Sequence, residues 1–215
     1  MVQKQKRKSD LMNNIIIYNK RSDVENVINL FNKNFSFNKF PLSILKEKNM
    51  EFIFIKSKVF YLRHDYNQFQ LFLNKNNIYC YYILPYEASR YDWEEYEKEH
   101  LFNESTKYST TPTFLIRNQP GFDLIDEMFM KTHFLHYTEY YIFSEKLDWC
   151  VHYVPHRNFI IMYFGKEISF EGLGILEDKI TNMDDLVENA ELEDGFNKTE
   201  IESLENYWFS RVGDN

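Results

Sequence analysis

Four of the six histidines in this 215-residue chain, His133, His136, His152 and His156, crowd into one short stretch. Neutral imidazole is the commonest metal ligand, and Glu139 adds a carboxylate in the same stretch. Together they offer a two-His-one-carboxylate or a His/Cys set for zinc or another divalent transition metal. At the end of a helix, His133 and His136 are neighbours at i, i+3; on a strand, Cys150 and His152 project from one face. A metal held there would activate water for a hydrolase, with a nearby carboxylate as base. The spacings argue the other way. H-x-x-H and C-x-H-x-x-x-H match no zinc signature, and H-E-x-x-H is absent. Single histidines also suit helix ends and hairpin turns such as Val154-Pro155-His156-Arg157.

Other chemistries find less support. No G-x-S-x-G occurs, and Cys80 and Cys150 lie in apolar runs where a thiol behaves as a small hydrophobe. Gly172-Leu173-Gly174 lacks the third glycine of a dinucleotide loop, and there is no Walker lysine. Glu94, Glu95, Glu97 and Glu99 read as one solvated helix face. A second acidic stretch, Asp184, Asp185, Glu188, Glu191, Glu193 and Asp194, has no lysine or arginine inside it. A patch of that density steers and holds a basic protein, although solubility alone also accounts for it.

Charge sorts the partners. The net charge is −8, and Lys4, Lys6, Arg7 and Lys8 lie in a basic flexible tail over residues 1–12, so the body is more acidic still. Such a body repels nucleic-acid backbones and anionic lipid. The tail's few charges support only salt-sensitive phosphate contacts, and the aromatics carry no interleaved basic residues, so a nucleic-acid partner is not expected. No run approaches the roughly 18 apolar residues that cross a bilayer. Ile15-Ile16-Ile17-Tyr18 is too short for a secretory h-region, and two cysteines are too few for a secreted disulfide framework, so a cytoplasmic location is expected.

These side chains need elements to place them. Aromatics at 18 % with only 6 glycines point to strands and well-packed helices rather than a loop-rich scaffold. Helices are expected over 22–34, 87–102 and 123–133, with a helical turn from Pro41 and a last helix after Thr199. Ser22 with Glu25, and Thr199 with Glu202, have capping-box spacing. Strands are expected over 15–18, 50–56, 59–64, 69–73, 78–84, 113–117, 139–144, 148–154 and 159–165. Phe69–Pro85 overlays Glu139–Pro155 without a gap, aligning Cys80 with Cys150, which suggests a duplicated β-hairpin.

The expected fold is α+β: an antiparallel or mixed sheet of six to eight strands, with helices on one face and at both chain ends. Residues 13–215 are expected to form a single domain, any internal boundary falling near 104–121. The function expected is that of a non-enzymatic intracellular protein-binding module, an inhibitor or immunity-type protein neutralising a basic partner without a cofactor. The alternative is a metal-dependent hydrolase built on the histidine cluster.

Overall fold

Continuous apolar runs dictate a sheet buried on both sides. The computed structural model describes residues 14–18, 20–38, 41–46, 49–56, 63–90, 92–94, 112–132, 138–154, 159–174, 177–189 and 196–212. Its strands are β1 (Ile15–Tyr18), β2 (Glu51–Ile55), β3 (Cys80–Pro85), β4 (Thr113–Arg117), β5 (Tyr140–Phe143), β6 (Trp149–Tyr153), β7 (Ile160–Phe164) and β8 (Lys179–Ile180). They join in one eight-stranded antiparallel sheet of order β1-β4-β3-β5-β6-β7-β2-β8. The helices are α1 (Arg21–Phe31), α2 (Pro41–Ile44), α3 (Arg63–Lys75), α4 (Phe122–Thr132), α5 (Met183–Asn189) and α6 (Lys198–Val212). The fold is α+β.

Period-2 alternation divides the sheet residues between two cores. Ile116, Tyr81, Ile83, Ile142, Trp149, Val151 and Met162 meet Tyr66, Phe69, Phe72 and Leu73 of α3 and Ile125 of α4 on the first face. Leu115, Tyr82, Tyr141, Phe143, Cys150, Tyr163 and Phe54 meet Val24, Val27 and Phe31 of α1, Leu186 of α5 and Leu204 of α6 on the second. The second face therefore carries helices from near both ends of the chain, as expected. Helices were expected on one face only, but the layer formed by α3 and α4 covers the other face as well, which is why β5 and β6 are buried at every position. Phe31 anchors the second core, with its ring 4.7 Å from Tyr141, 5.0 Å from Phe37, 5.2 Å from Phe143 and 5.4 Å from Phe35.

Several elements differ from the sequence reading. Phe69–Leu73, expected as a strand, lies inside α3. The five-residue alternation there competes with a helical stripe of Tyr66, Phe69, Phe72 and Leu73, and the stripe wins by burying all four. Leu71, which a strand would bury beside Phe69 and Leu73, is instead 50 % exposed. The duplicated hairpin goes with it: the first half of one copy is a helix and of the other is β5. Cys80 and Cys150 do belong to the same face of the sheet, on strands that are not neighbours.

His64 of the expected 59–64 strand is in α3, and residues 59–62 lie outside the described residues. Of the expected 87–102 helix, Tyr86–Arg90 forms a short 3-10 turn and 95–102 lie outside. Residues 1–12 and 104–111 also fall outside, whereas β4 of the 104–121 segment pairs with both β1 and β3.

Neither cap sits where the sequence put it. Lys20 caps α1 without a side-chain bond, and Ser22 falls within the helix. At α6 the box closes two residues early. Asn197 Oδ1 accepts from the Glu200 amide at 3.0 Å, while Glu200 Oε2 accepts from the Asn197 amide at 2.9 Å. Asparagine is the stronger N-cap, and Asn197-x-x-Glu200 has the same spacing as Thr199-x-x-Glu202.

Candidate functional site

The β5–β6 hairpin places one histidine of the cluster, His152. Tyr141 pairs directly with His152, and Glu139, two residues before Tyr141, lies diagonally across from it. The result is a buried polar pair: His152 Nε2 and Glu139 Oε1 are 2.8 Å apart, with side-chain exposures of 0 % and 9 %. The Tyr141 ring stacks on the imidazole at 4.6 Å and 18°. Its hydroxyl donates to the Asn38 carbonyl at 2.7 Å and accepts from the Asn38 amide at 3.1 Å, closing the lid over the histidine. Burial and the nearby Glu139 charge both push the Tyr141 hydroxyl up.

Glu139 and His152, both drawn into the expected ligand set, thus meet as a hydrogen-bonded pair. His133, His136 and His156 lie outside the described residues. Among the described residues, no three His, Cys, Asp or Glu side chains gather closely enough to hold a metal ion.

The thiols and the buried phenols are turned away from nucleophilic work. Burial raises the Cys150 thiol well above its usual value. Cys80 is half-buried and is also raised, first by burial and then by Glu145, with Arg117 beside it pulling the other way. Burial holds Tyr66 up to about 12 and raises Tyr81 and Tyr140 well above the ordinary phenol value. These groups stay protonated and weakly nucleophilic near neutral pH.

The acidic stretch is partly placed. Asn182 Oδ1 accepts from the Asp185 amide at 2.8 Å and so caps α5. Leu186 is fully buried and Met183 packs beside it on the second core, which turns Asp184 and Glu188 outward. Asp185 sits 3.1 Å from Lys56 Nζ, and that surface pair ties the helix to the end of β2. Val187 is 49 % exposed, one of three large hydrophobics so exposed among the described residues. On the helix it lies at i+3 from Asp184, which in turn neighbours Glu188 at i+4. Glu191, Glu193 and Asp194 lie outside the described residues.

A third feature escaped the sequence reading. Tyr18, Asp23, Asn26, Val27, Leu30 and Tyr82 line a shallow cleft of about 260 Å³ where α1 crosses the β1–β4–β3 corner of the second face. These residues come from three elements, so no local motif marks them. The spacing of Asp23, Asn26, Val27 and Leu30 along one helical face was the only signal. Among the described residues no helix is long and apolar enough to cross a membrane. Comparison with protein-family models, with curated proteins and with solved structures finds no match.

Proposed function

We propose that this chain is a non-enzymatic protein-binding module acting in the cytoplasm, an inhibitor or immunity-type protein that neutralises a basic partner through the outward face of α5. The observation that carries the reading is Val187, half exposed at i+3 from Asp184, whose own i+4 neighbour is Glu188. An apolar contact with a charged rim is the anatomy of a protein interface, in which the apolar group anchors and the charges steer. The net charge of −8 extends that steering field beyond the helix. The protonated, buried thiols and phenols fit a surface-borne function better than covalent chemistry.

A photo-crosslinking residue in place of Val187 tests this, with one in place of Leu71 as control. Leu71 is equally exposed on α3, the layer over the other face. In extract of the native host, a basic protein should crosslink at 187 and not at 71, and be lost from the Asp184→Lys/Glu188→Lys variant. Identical captures at both positions, or capture that survives charge reversal, would overturn the reading.

One observation favours a second reading, the metal-dependent hydrolase. A carboxylate on one imidazole nitrogen, as Glu139 has on His152, is how metal-ligating histidines are oriented. Stoichiometric zinc, iron or manganese in chelator-free protein, lost in the His136→Ala variant, would support it. A metal-free folded protein would remove it.

A further inference from the structure

The cleft at the β1–β4–β3 corner has a composition that selects its occupant. Its floor is aromatic: the rings of Tyr18 and Tyr82 lie 6.5 Å apart at 24°. Its wall is one face of α1, with the carboxylate of Asp23 and the carboxamide of Asn26 ahead of the aliphatic Val27 and Leu30. The Tyr82 hydroxyl donates to Glu145 Oε1 at 2.9 Å and so holds a second carboxylate beside the cleft. Arg117 also acts on this corner, where it faces Tyr18 and the Cys80 thiol.

We infer that this cleft seats an arginine side chain of the basic partner. At about 260 Å³ it falls below the roughly 300–1,000 Å³ of sites for drug-sized ligands, which suits one long side chain rather than a cofactor. An aliphatic stem packs on Leu30 and on the Tyr18 ring, whose partner Tyr82 is itself backed by Phe143 at 5.5 Å. The guanidinium fork matches a carboxylate better than a lysine ammonium does, and Asp23 with Asn26 supplies adjacent acceptors. An anion would meet Asp23 and Glu145 and is disfavoured.

The inference rests on the proposed binding of a basic protein and adds a second contact to it. Both α1 and α5 pack on the second face. In the sheet order, β3 and β8 are five positions apart, about 24 Å at the usual strand spacing of about 4.8 Å. A standard interface of about 800 Å² per partner covers that span.

The probe is N-acetyl-arginine amide, titrated into the full-length chain and followed by NMR. Saturable shifts are expected at Tyr18, Val27, Leu30 and Tyr82. The uncharged citrulline analogue, with nearly the same shape, should bind more weakly by up to about fivefold, the upper range for an exposed ion pair. Asp23→Asn should weaken the arginine probe by a similar factor, while Asp23→Glu, which keeps the charge and controls for folding, should retain it. Equal binding of citrulline, or arginine shifts that miss these residues, would overturn the assignment. Because no partner protein is used, that failure would leave the α5 reading standing on its own crosslinking test.

Discussion

Removing the Glu139 carboxylate should expose how His152 is used. In Glu139→Ala the imidazole loses a 2.8 Å contact made at 0 % and 9 % side-chain exposure, so water cannot readily replace it. A buried hydrogen bond to a charged group is worth about 1.5–3 kcal/mol, and stranding its partner costs a similar amount. Taking about 2–3 kcal/mol, a chain of this size should lose about 4–12 °C in Tm. The paired replacement Glu139→Ala/His152→Phe removes both polar groups, keeps an aromatic ring under Tyr141 and leaves the summed side-chain volume nearly unchanged. It should return to within about 1.5 kcal/mol of wild type. Calorimetry of the wild type, the single variant and the double variant, each with and without chelator, reads this out. An unchanged Tm in Glu139→Ala, or a double variant as unstable as the single one, would refute the reasoning. A chelator effect confined to wild type would mean that the pair orients a metal ligand.

Alkaline pH should destabilise the fold through its buried phenols. Tyr66 is held up to about 12 against 10.0 in the open chain, and burial also raises Tyr81 and Tyr140 well above the ordinary phenol value. A raised folded-state value stabilises fully below the unfolded value and is lost as pH climbs towards the folded one. Stability against urea should therefore fall as pH passes about 10, with these tyrosines ionising only on unfolding. Tyrosinate absorbance that rises for every tyrosine at pH 10 in folded protein would contradict this. Native thiol labelling should touch Cys80 slowly and spare Cys150, and labelling of both at the denatured rate would count against their burial. Asn197→Ala should cost about 1 kcal/mol in denaturant melts, while Thr199→Ala stays within about 0.5 kcal/mol. The reverse order would put the α6 cap back at Thr199.

The sheet was largely legible because most strands announce themselves as uninterrupted apolar runs. Glu51–Ile55, Tyr140–Phe143, Trp149–Tyr153 and Ile160–Phe164 admit few other readings at that length. Helix α3 was not, because Gln68, Gln70 and Asn74 between apolar residues mimic a half-buried strand. Only the partners on β3 and β6, where Tyr81 and Trp149 receive Phe69 at 5.7 and 6.1 Å, settle the period. The Glu139–His152 contact was within reach of sequence, since a short hairpin brings such positions together. The cleft was beyond it: Tyr18 and Tyr82 become neighbours only because β4, from much later in the chain, inserts between β1 and β3. Val187 could be seen as apolar in an acidic run, but its exposure follows from Leu186 and Met183 taking the buried side of α5.

The central claim is steering by the acidic face of α5, and the most direct test is the association rate of the captured basic protein. It is measured for wild type and for Asp184→Lys/Glu188→Lys across a range of salt. At low ionic strength the reversal should slow association about tenfold or more, within the range that electrostatic steering supplies. At 1 M salt, where the screening length shrinks to about 3 Å, the two rates should converge. Equal rates at low salt would contradict the account, because the α5 charges would then have no part in recognition.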